Sequence, residues 1–154
     1  MIPSSFFACL TLERVLLYYS TIHVPQSFLG FKHLRTLRLL QFKLTGINVS
    51  RLISSCPLLE HLELSGFFEY GRLVICGPNI RWLSIAGVFG DLCLETPKLV
   101  FANIYLNDNL GYYLDFSLPT NDCKSNILRV LGNLSAIKEL ELYSNFITVR
   151  SIYT

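Results

Sequence analysis

Residues 34–39 read Leu34-Arg35-Thr36-Leu37-Arg38-Leu39, a phrase in which apolar residues stand at the first, fourth and sixth positions. The phrase recurs along the chain in these copies: Leu12-x-x-Val15-x-Leu17, Leu59-x-x-Leu62-x-Leu64, Ile80-x-x-Leu83-x-Ile85, Leu99-x-x-Ala102-x-Ile104 and Ile137-x-x-Leu140-x-Leu142. Successive copies begin 22, 25, 21, 19 and 38 residues apart. The last interval is close to two units, so we expect one degenerate copy between Asn107 and Asn126.

This spacing is that of leucine-rich repeats, in which each unit of roughly 20–29 residues contributes one short strand. The last two apolar positions of a copy are two residues apart, so their side chains point to the same face of that strand. Stacked copies form a parallel sheet with one continuous core, which no single repeat could bury alone. We therefore predict an α/β fold, a single leucine-rich repeat domain over residues 1–154 with about six to seven repeats and a parallel concave β-sheet.

The segments between the copies predict the convex side of the solenoid. Apolar residues at positions 49, 52 and 53 form a helical stripe that ends before Pro57, and a second helix is expected from Ser125. Leu73-x-Ile75 and Leu92-x-Leu94 alternate instead like short strands. The convex side is therefore expected to mix helices with short β-strands.

Composition and charge exclude several classes of protein. With 51% hydrophobic and only 16% charged residues, the chain is too apolar to be disordered. The net charge is +2 without a basic run, so no nucleic-acid partner is expected, and no apolar run is long enough to cross a bilayer. The five cysteines are widely spaced and form no CxxC motif, which predicts free thiols in a reducing compartment, the cytoplasm or the nucleus.

No group of residues predicts catalysis, a cofactor or a metal site. The three histidines fall in different repeats, and the chain has no GxSxG or P-loop motif. Two pairs of carboxylates are close in sequence, Glu60 with Glu63 and Glu139 with Glu141, but solvated strand positions explain them. We therefore predict that the protein is not an enzyme and uses no cofactor.

Strand alternation predicts which side chains line the concave face. Because Leu37 and Leu39 point inward, the residues that flank them point outward, and the same rule applies to every copy. The candidate residues for binding a protein partner are Arg14, Tyr18, Arg38, His61, Glu63, Trp82, Phe101, Asn103, Tyr105, Glu139 and Glu141. This row runs from basic through aromatic to acidic, and exposed aromatic residues are typical anchors of protein interfaces. The alternative is that its aromatic residues only pack against their neighbours on the sheet.

Several segments also resemble plant F-box/FBD/LRR-repeat proteins. Residues 54–64, Ser-Ser-Cys-Pro-Leu-Leu-Glu-His-Leu-Glu-Leu, are similar to the cysteine-proline-x-leucine-glutamate turn of that family. Residues 77–85 and 95–106 resemble its later repeats, and residues 2–13 its first repeats. The resemblance implies an interaction scaffold, the substrate-recognition region of an SCF-type ubiquitin ligase.

In that family an F-box precedes the repeats and recruits the adaptor Skp1, and many members carry a C-terminal FBD segment. Neither is recognised between Met1 and Thr154, so Skp1 binding is not expected from this chain alone, and both ends are expected to be truncated. At the start of the stack, Phe6, Phe7 and Leu10 are then expected to expose apolar surface.

Two other interpretations stay open. The chain could be a truncated structural remnant without a partner of its own. It could also be a fragment of a secreted receptor, since Leu140-x-Leu142-x-x-Asn145-x-Ile147 resembles the asparagine-containing phrase of extracellular repeats. Glycosylation at Asn48 or Asn133 would favour the receptor interpretation.

Overall fold

The computed structural model of the protein describes residues 2–44, 46–106, 135–144 and 148–152. Among these residues, a 3-10 helix, Ser4–Ala8, precedes the strands and one α-helix. In chain order these elements are β1 (Arg14–Tyr18), β2 (Thr36–Leu40), α1 (Gly46–Ser54), β3 (His61–Cys76), β4 (Trp82–Glu95), β5 (Phe101–Leu106), β6 (Glu139–Ser144) and β7 (Thr148–Ile152). In the part of the chain so described, no helix is long and apolar enough to cross a membrane.

The strands form one sheet in the order β1-β2-β3-β4-β5-β6-β7. Neighbours from β1 to β6 are parallel, and β7 pairs with β6 in the antiparallel sense. The fourth position of each phrase lies beside the fourth position of the next, from Val15 through Leu37, Leu62, Leu83 and Ala102 to Leu140. The predicted leucine-rich repeat solenoid with a parallel sheet is therefore confirmed, together with the alignment of its six phrases.

The apolar positions of the phrases build the core. In four of the copies the first residue is completely buried; these residues are Leu34, Leu59, Ile80 and Leu99. The fourth and sixth positions of the middle copies are equally buried and belong to one continuous cluster. Each fully buried leucine or isoleucine contributes roughly 1.5–3 kcal/mol relative to an exposed one. Repetition of the phrase is thus what makes the core continuous.

Tight turns set the start of each concave strand. In each of four turns, the N–H of the last residue donates to the carbonyl three residues earlier, at 3.1–3.3 Å. The four donors are Leu34, Leu59, Ile80 and Leu99. Proline occupies the second position of three of these turns, where its fixed φ suits a type I turn. After each turn, one carbonyl accepts two N–H groups from the next repeat at 2.8–3.1 Å, as that of Arg35 does from Glu60 and His61. These bonds hold neighbouring phrases in register.

Helix α1 covers the core between β2 and β3, as predicted. Its side chains Val49, Leu52 and Ile53 are buried, and it ends three residues before Pro57. The hydroxyl of Ser50 donates to the carbonyl of Val74 at 2.6 Å, which ties the helix to β3. The second predicted helix, from Ser125, and the degenerate copy lie outside the described residues.

The two predicted convex strands exist, but they are the ends of longer strands. Strands β3 and β4 each begin in a phrase and continue without a break to the convex side, where residues 72–76 pair with residues 91–95. Register shifts occur between these two parts of the pairing, after Ser65 and after Glu69. Leu64 and Leu73 of the same strand both belong to the one hydrophobic core. Next to the first register shift, Gly66 has a φ of +67°, a conformation that favours glycine.

The expected apolar exposure at the N-terminal end is largely wrong. Phe7 is buried, with only 6% of its surface exposed, and its ring meets those of Phe28 and Phe31 at centroid distances of 5.2 and 6.2 Å. Phe6 is half-buried beside them, so Leu10, 55% exposed, is the one residue of the three that fits the expectation. The two partner phenylalanines lie outside the repeated phrase, which is why the phrase alone did not reveal this cluster.

Candidate functional site

The outward side chains of β1 to β6 form three parallel rows, which together we call the concave face. The register defines a first row of Arg14, Thr36, His61, Trp82, Phe101 and Glu139. The second row is Leu16, Arg38, Glu63, Ser84, Asn103 and Glu141, and the third is Tyr18, Leu40, Ser65, Ala86, Tyr105 and Tyr143. All eleven predicted residues lie in these rows because side chains alternate along a strand.

Aromatic rings in the centre of the first row form a ladder across three strands. Trp82 and Phe101 are stacked with their ring centroids 5.2 Å apart and their planes 5° from parallel. His61 lies on the other side of Trp82, at 6.2 Å and with a tilt of 31°. Trp82 does pack against its neighbours, as the alternative interpretation held, yet it and Phe101 are only half-buried. The ladder therefore still leaves aromatic surface exposed.

Polar side chains in the second row pair with each other across strands. The Nε of Arg38 donates to Oε2 of Glu63 at 2.5 Å, and this hydrogen bond raises the pKa of Arg38. The amide of Asn103 donates to Oε2 of Glu141 at 3.1 Å. Arg38 and Glu63 offset each other, so the row is less basic at this point than the sequence alone predicted. Across the concave face as a whole the order from basic to acidic is kept, because Arg14 lies at one edge and Glu139 and Glu141 lie on β6 at the other.

Small residues interrupt the third row and leave a notch. Ser65 and Ala86 stand between the larger side chains of Leu40 and Tyr105, and each is followed by a glycine, Gly66 or Gly87. This notch is a cavity with a volume of about 240 Å³. Gln41 and Tyr105 form its walls, and Phe67 and Val88 are among its lining residues. The ring of Tyr105 contacts that of Tyr143 at a centroid distance of 6.3 Å.

The notch was missed in the sequence because small residues give no signal on their own. The alternation that selected Trp82 extends to Ala86, and a run of small residues aligned on two neighbouring strands is the pattern that could have revealed the notch. Gln41 could not have been found this way, since it follows β2 and has a φ of +53°.

A family model for the LRR repeats of FBD-associated F-box protein At5g56370 matches residues 1–152. The chain belongs to this LRR-repeat family of F-box proteins. The match to a repeat region agrees with the predicted resemblance and with the parallel sheet described above.

Two relatives of this LRR family carry an F-box and an FBD in their names. The F-box/FBD/LRR-repeat protein At1g13570 of Arabidopsis thaliana is 34% identical over 154 residues, which cover 98% of this chain and 35% of that protein. The F-box/FBD/LRR-repeat protein At3g51530 of the same plant is 32% identical over 158 residues, covering 91% of this chain and 34% of that protein. The chain thus spans about a third of the length of these relatives. No solved structure matches it.

The described part of the LRR region holds no cluster of three or more histidine, cysteine, aspartate or glutamate side chains suited to a metal ion. Its cysteines 9, 56, 76 and 93 are free thiols. Burial raises the pKa of Cys56, and burial together with a hydrogen bond involving Glu95 raises that of Cys76. Both thiols are therefore protonated near neutral pH, and a protonated thiol is a poor nucleophile.

Proposed function

We propose that the chain binds a protein partner on its concave face and acts as the substrate-recognition module of an F-box protein. The observation that carries the proposal is the ladder of His61, Trp82 and Phe101, which puts half-buried aromatic surface in the middle of a sheet of aligned strands. Tryptophan is among the residues that most often dominate binding energy when they lie near the centre of an interface. Solenoids use their concave surfaces in this way.

Charge supports the same face. Arg14 lies at one edge of the rows, and Glu139 and Glu141 lie on β6 at the other, with the aromatic ladder between them. A partner with complementary charges would be held in one orientation, because opposite charges guide and align two proteins. The face offers no basic stripe of the kind that binds nucleic acid. The function we propose is therefore non-enzymatic recognition of a protein.

The link to ubiquitin ligases is part of the proposal: the names of the relatives contain an F-box, and the resemblance to F-box/FBD/LRR-repeat proteins implies a subunit of an SCF-type ligase. A protein held by the repeats would be presented to a ligase that an F-box recruits through Skp1. We expect this chain alone not to bind Skp1, since the part that matches is the repeats. We also propose that it works in the cytoplasm or nucleus, which its free thiols support.

The decisive experiment compares two variants in which arginine replaces a large apolar residue. Trp82→Arg alters the concave face, and Ile47→Arg alters α1 at a residue that is 79% exposed. The wild-type chain and each variant are used to capture proteins from a plant extract. The captured protein is then purified, and its binding to the wild type and to each variant is measured by titration. We expect Trp82→Arg to weaken binding by at least about tenfold, which corresponds to 1.4 kcal/mol, and Ile47→Arg to bind normally.

Tyr18→Ala serves as a second concave variant, since this exposed residue can be truncated without loss of core packing. Circular dichroism and urea unfolding check that every variant is folded. Equal binding by the wild type and both concave variants would contradict the proposed function. The absence of any specific partner would favour the remnant instead, and N-glycosylation at Asn48 would favour the secreted receptor.

A further inference from the structure

Basic side chains accumulate in front of the strands that carry the aromatic ladder. Arg81, Lys98 and Lys138, which together we call the basic rim, precede β4, β5 and β6 and are all exposed. We infer that the basic rim binds an acidic side chain of the partner, aspartate or glutamate, while an adjacent residue of that partner covers Trp82 and Phe101. The inference rests on the proposed function, because it names the chemistry of the same partner, but the basic rim lies outside the three rows of the concave face.

Backbone hydrogen bonds place the basic rim directly beside the ladder. The carbonyl of Arg81 accepts two N–H groups from the start of the next phrase, at 2.9 and 3.0 Å. The carbonyl of Val100 likewise accepts two, that of Lys138 included, at 2.8 and 3.1 Å. Arg81 and Lys138 are thus two strand spacings apart, about 10 Å at the backbone, and Lys98 precedes the strand between them. Since Arg81 is followed by Trp82, a partner residue that covers the indole has this arginine next to it.

A chain of side-chain hydrogen bonds holds Lys98 in place. Its ammonium donates to Oδ1 of Asn79 at 2.8 Å, and Nδ2 of Asn79 donates to the carbonyl of Pro57 at 2.9 Å. These bonds connect three successive turns and restrict the side chain before a partner binds, which lowers the entropy lost on binding. The amide is neutral, so the positive charge of Lys98 is kept, and its ammonium has further donors to offer.

The positive charge of the basic rim is not balanced as it is in the preceding repeats. In front of β2 and β3, Arg35 forms an ion pair with Glu60. Glu60 is also the acidic residue in the repeat next to Arg81, but its carboxylate is already bonded to Arg35. In the part of the chain that the structure describes, none of the three basic-rim residues forms an ion pair. Opposite charges favour and align association, so the complementary group on a partner is an anionic one.

Glu139 limits where that anionic group lies. It is the first-row residue of β6, beside Phe101, and would repel an acidic side chain placed over β6. Arg81 and Lys98 lie in front of β4 and β5 instead, so we take these two residues as the main contacts. A segment in which an acidic residue stands next to a large apolar one satisfies both the basic rim and the ladder.

The probe is a library of peptides without a preset sequence. Random peptides of about twelve residues, long enough to cross the six strands, are displayed and selected against the full chain at about 0.1 M salt. Those that bind are synthesised, and their dissociation constants are measured by fluorescence anisotropy. We expect them to share an aspartate or glutamate next to a large apolar residue. Salt at about 1 M should weaken their binding by at least about tenfold, because the Debye length falls from about 10 Å to about 3 Å.

Charge reversal tests the basic rim directly. Arg81→Glu and Lys98→Glu alter it, and Lys32→Glu makes the same change at an exposed lysine in front of β2 as the control. We expect each rim variant to weaken the peptides by at least about tenfold, equal to 1.4 kcal/mol, and Lys32→Glu to stay within about twofold. A peptide with lysine in place of its acidic residue should bind Arg81→Glu more tightly than it binds the wild type. Loss of folding could not produce this reversal.

Trp82→Ala, which removes the indole without adding charge, separates the two levels of the proposal. If Trp82→Ala abolishes peptide binding but the rim variants do not weaken it, the inference about the basic rim is overturned while the proposed function stands. If neither change matters, or no peptide is selected, both are overturned. Selected peptides without a common acidic residue would contradict the inference, as would preference of the chain for a single-stranded DNA oligonucleotide over the peptides.

Discussion

Trp82 of β4 and Phe101 of β5 occupy the same register position and stack with centroids 5.2 Å apart and planes 5° from parallel. Trp82 is the single tryptophan of the chain. Its intrinsic fluorescence therefore reports on the concave face alone. The stack also contributes to stability, since aromatic pairs of this kind are worth roughly 0.5–1.5 kcal/mol beyond the area they bury.

The first prediction uses this fluorescence. A partner that covers the ladder removes water from the indole, so we expect a blue shift of the emission that saturates with the partner concentration. Truncation of the stacked ring, Phe101→Ala, should shift the emission of the free protein to the red, because it exposes the indole. The titration is followed at fixed protein concentration with Ile47→Arg as the control. A bound partner that leaves the emission unchanged would place the interface elsewhere.

A second prediction concerns the ion pair between Arg38 and Glu63. Arg38 is exposed, so water and salt screen the pair strongly, and we expect Arg38→Ala to lower the free energy of unfolding by less than about 1 kcal/mol. Partner binding should respond more than stability does, because loss of Arg38 leaves a negative charge on the second row. Urea unfolding and a binding titration at low and high salt separate the two effects. A large loss of stability would mean that the pair is not screened.

The third prediction concerns the core beneath the phrases. Leu62 is completely buried between Leu37 and Leu83 of the neighbouring strands, so Leu62→Ala leaves a cavity in the middle of the stack. We expect the free energy of unfolding to fall by about 2–5 kcal/mol. Leu16→Ala, on the exposed side of β1, should cost much less. Chemical denaturation of both variants measures the difference, and equal losses would contradict the inward and outward assignment.

The inward and outward assignment could be made from the sequence because it depends only on a period of two within each phrase. That period put residues as distant as Arg14 and Glu141 on one face, and the register confirms it. The pairing of Arg38 with Glu63 follows once the phrases are aligned, since both are fifth positions.

Other features could not be predicted because they depend on contacts outside the phrase. The notch needs small side chains on two strands at once, together with a glycine backbone close to Phe67. The joining of concave and convex segments into long strands involves register shifts beside Gly66 and after Glu69, which lie outside the phrase. The burial of Phe7 depends on Phe28 and Phe31 in an irregular connection. Periodicity carries no information about such contacts.

A fourth prediction tests the aromatic cluster at the N-terminal end. Because Phe7 is buried against two other phenylalanine rings, we expect Phe7→Ala to destabilise the protein by about 3–5 kcal/mol. Leu10→Ser, at an exposed neighbouring position, should leave stability within about 0.5 kcal/mol of the wild type. Thermal unfolding of the two variants gives the comparison. A small effect of Phe7→Ala would mean that residues before β1 are not part of the cooperative unit.

The last prediction concerns the buried thiol of Cys56, which is 2% exposed and donates a hydrogen bond to the carbonyl of Leu52 at 3.2 Å. Burial raises its pKa above the ordinary value of 9.0, so the folded state keeps its proton at a pH where the unfolded chain loses it. The unfolded state then binds fewer protons, and stability falls as the pH rises. The contribution is therefore fully present below pH 9.0 and is lost progressively above it. Urea unfolding from pH 7 to 10 should show a steeper loss for the wild type than for Cys56→Ala, whereas parallel curves would contradict it.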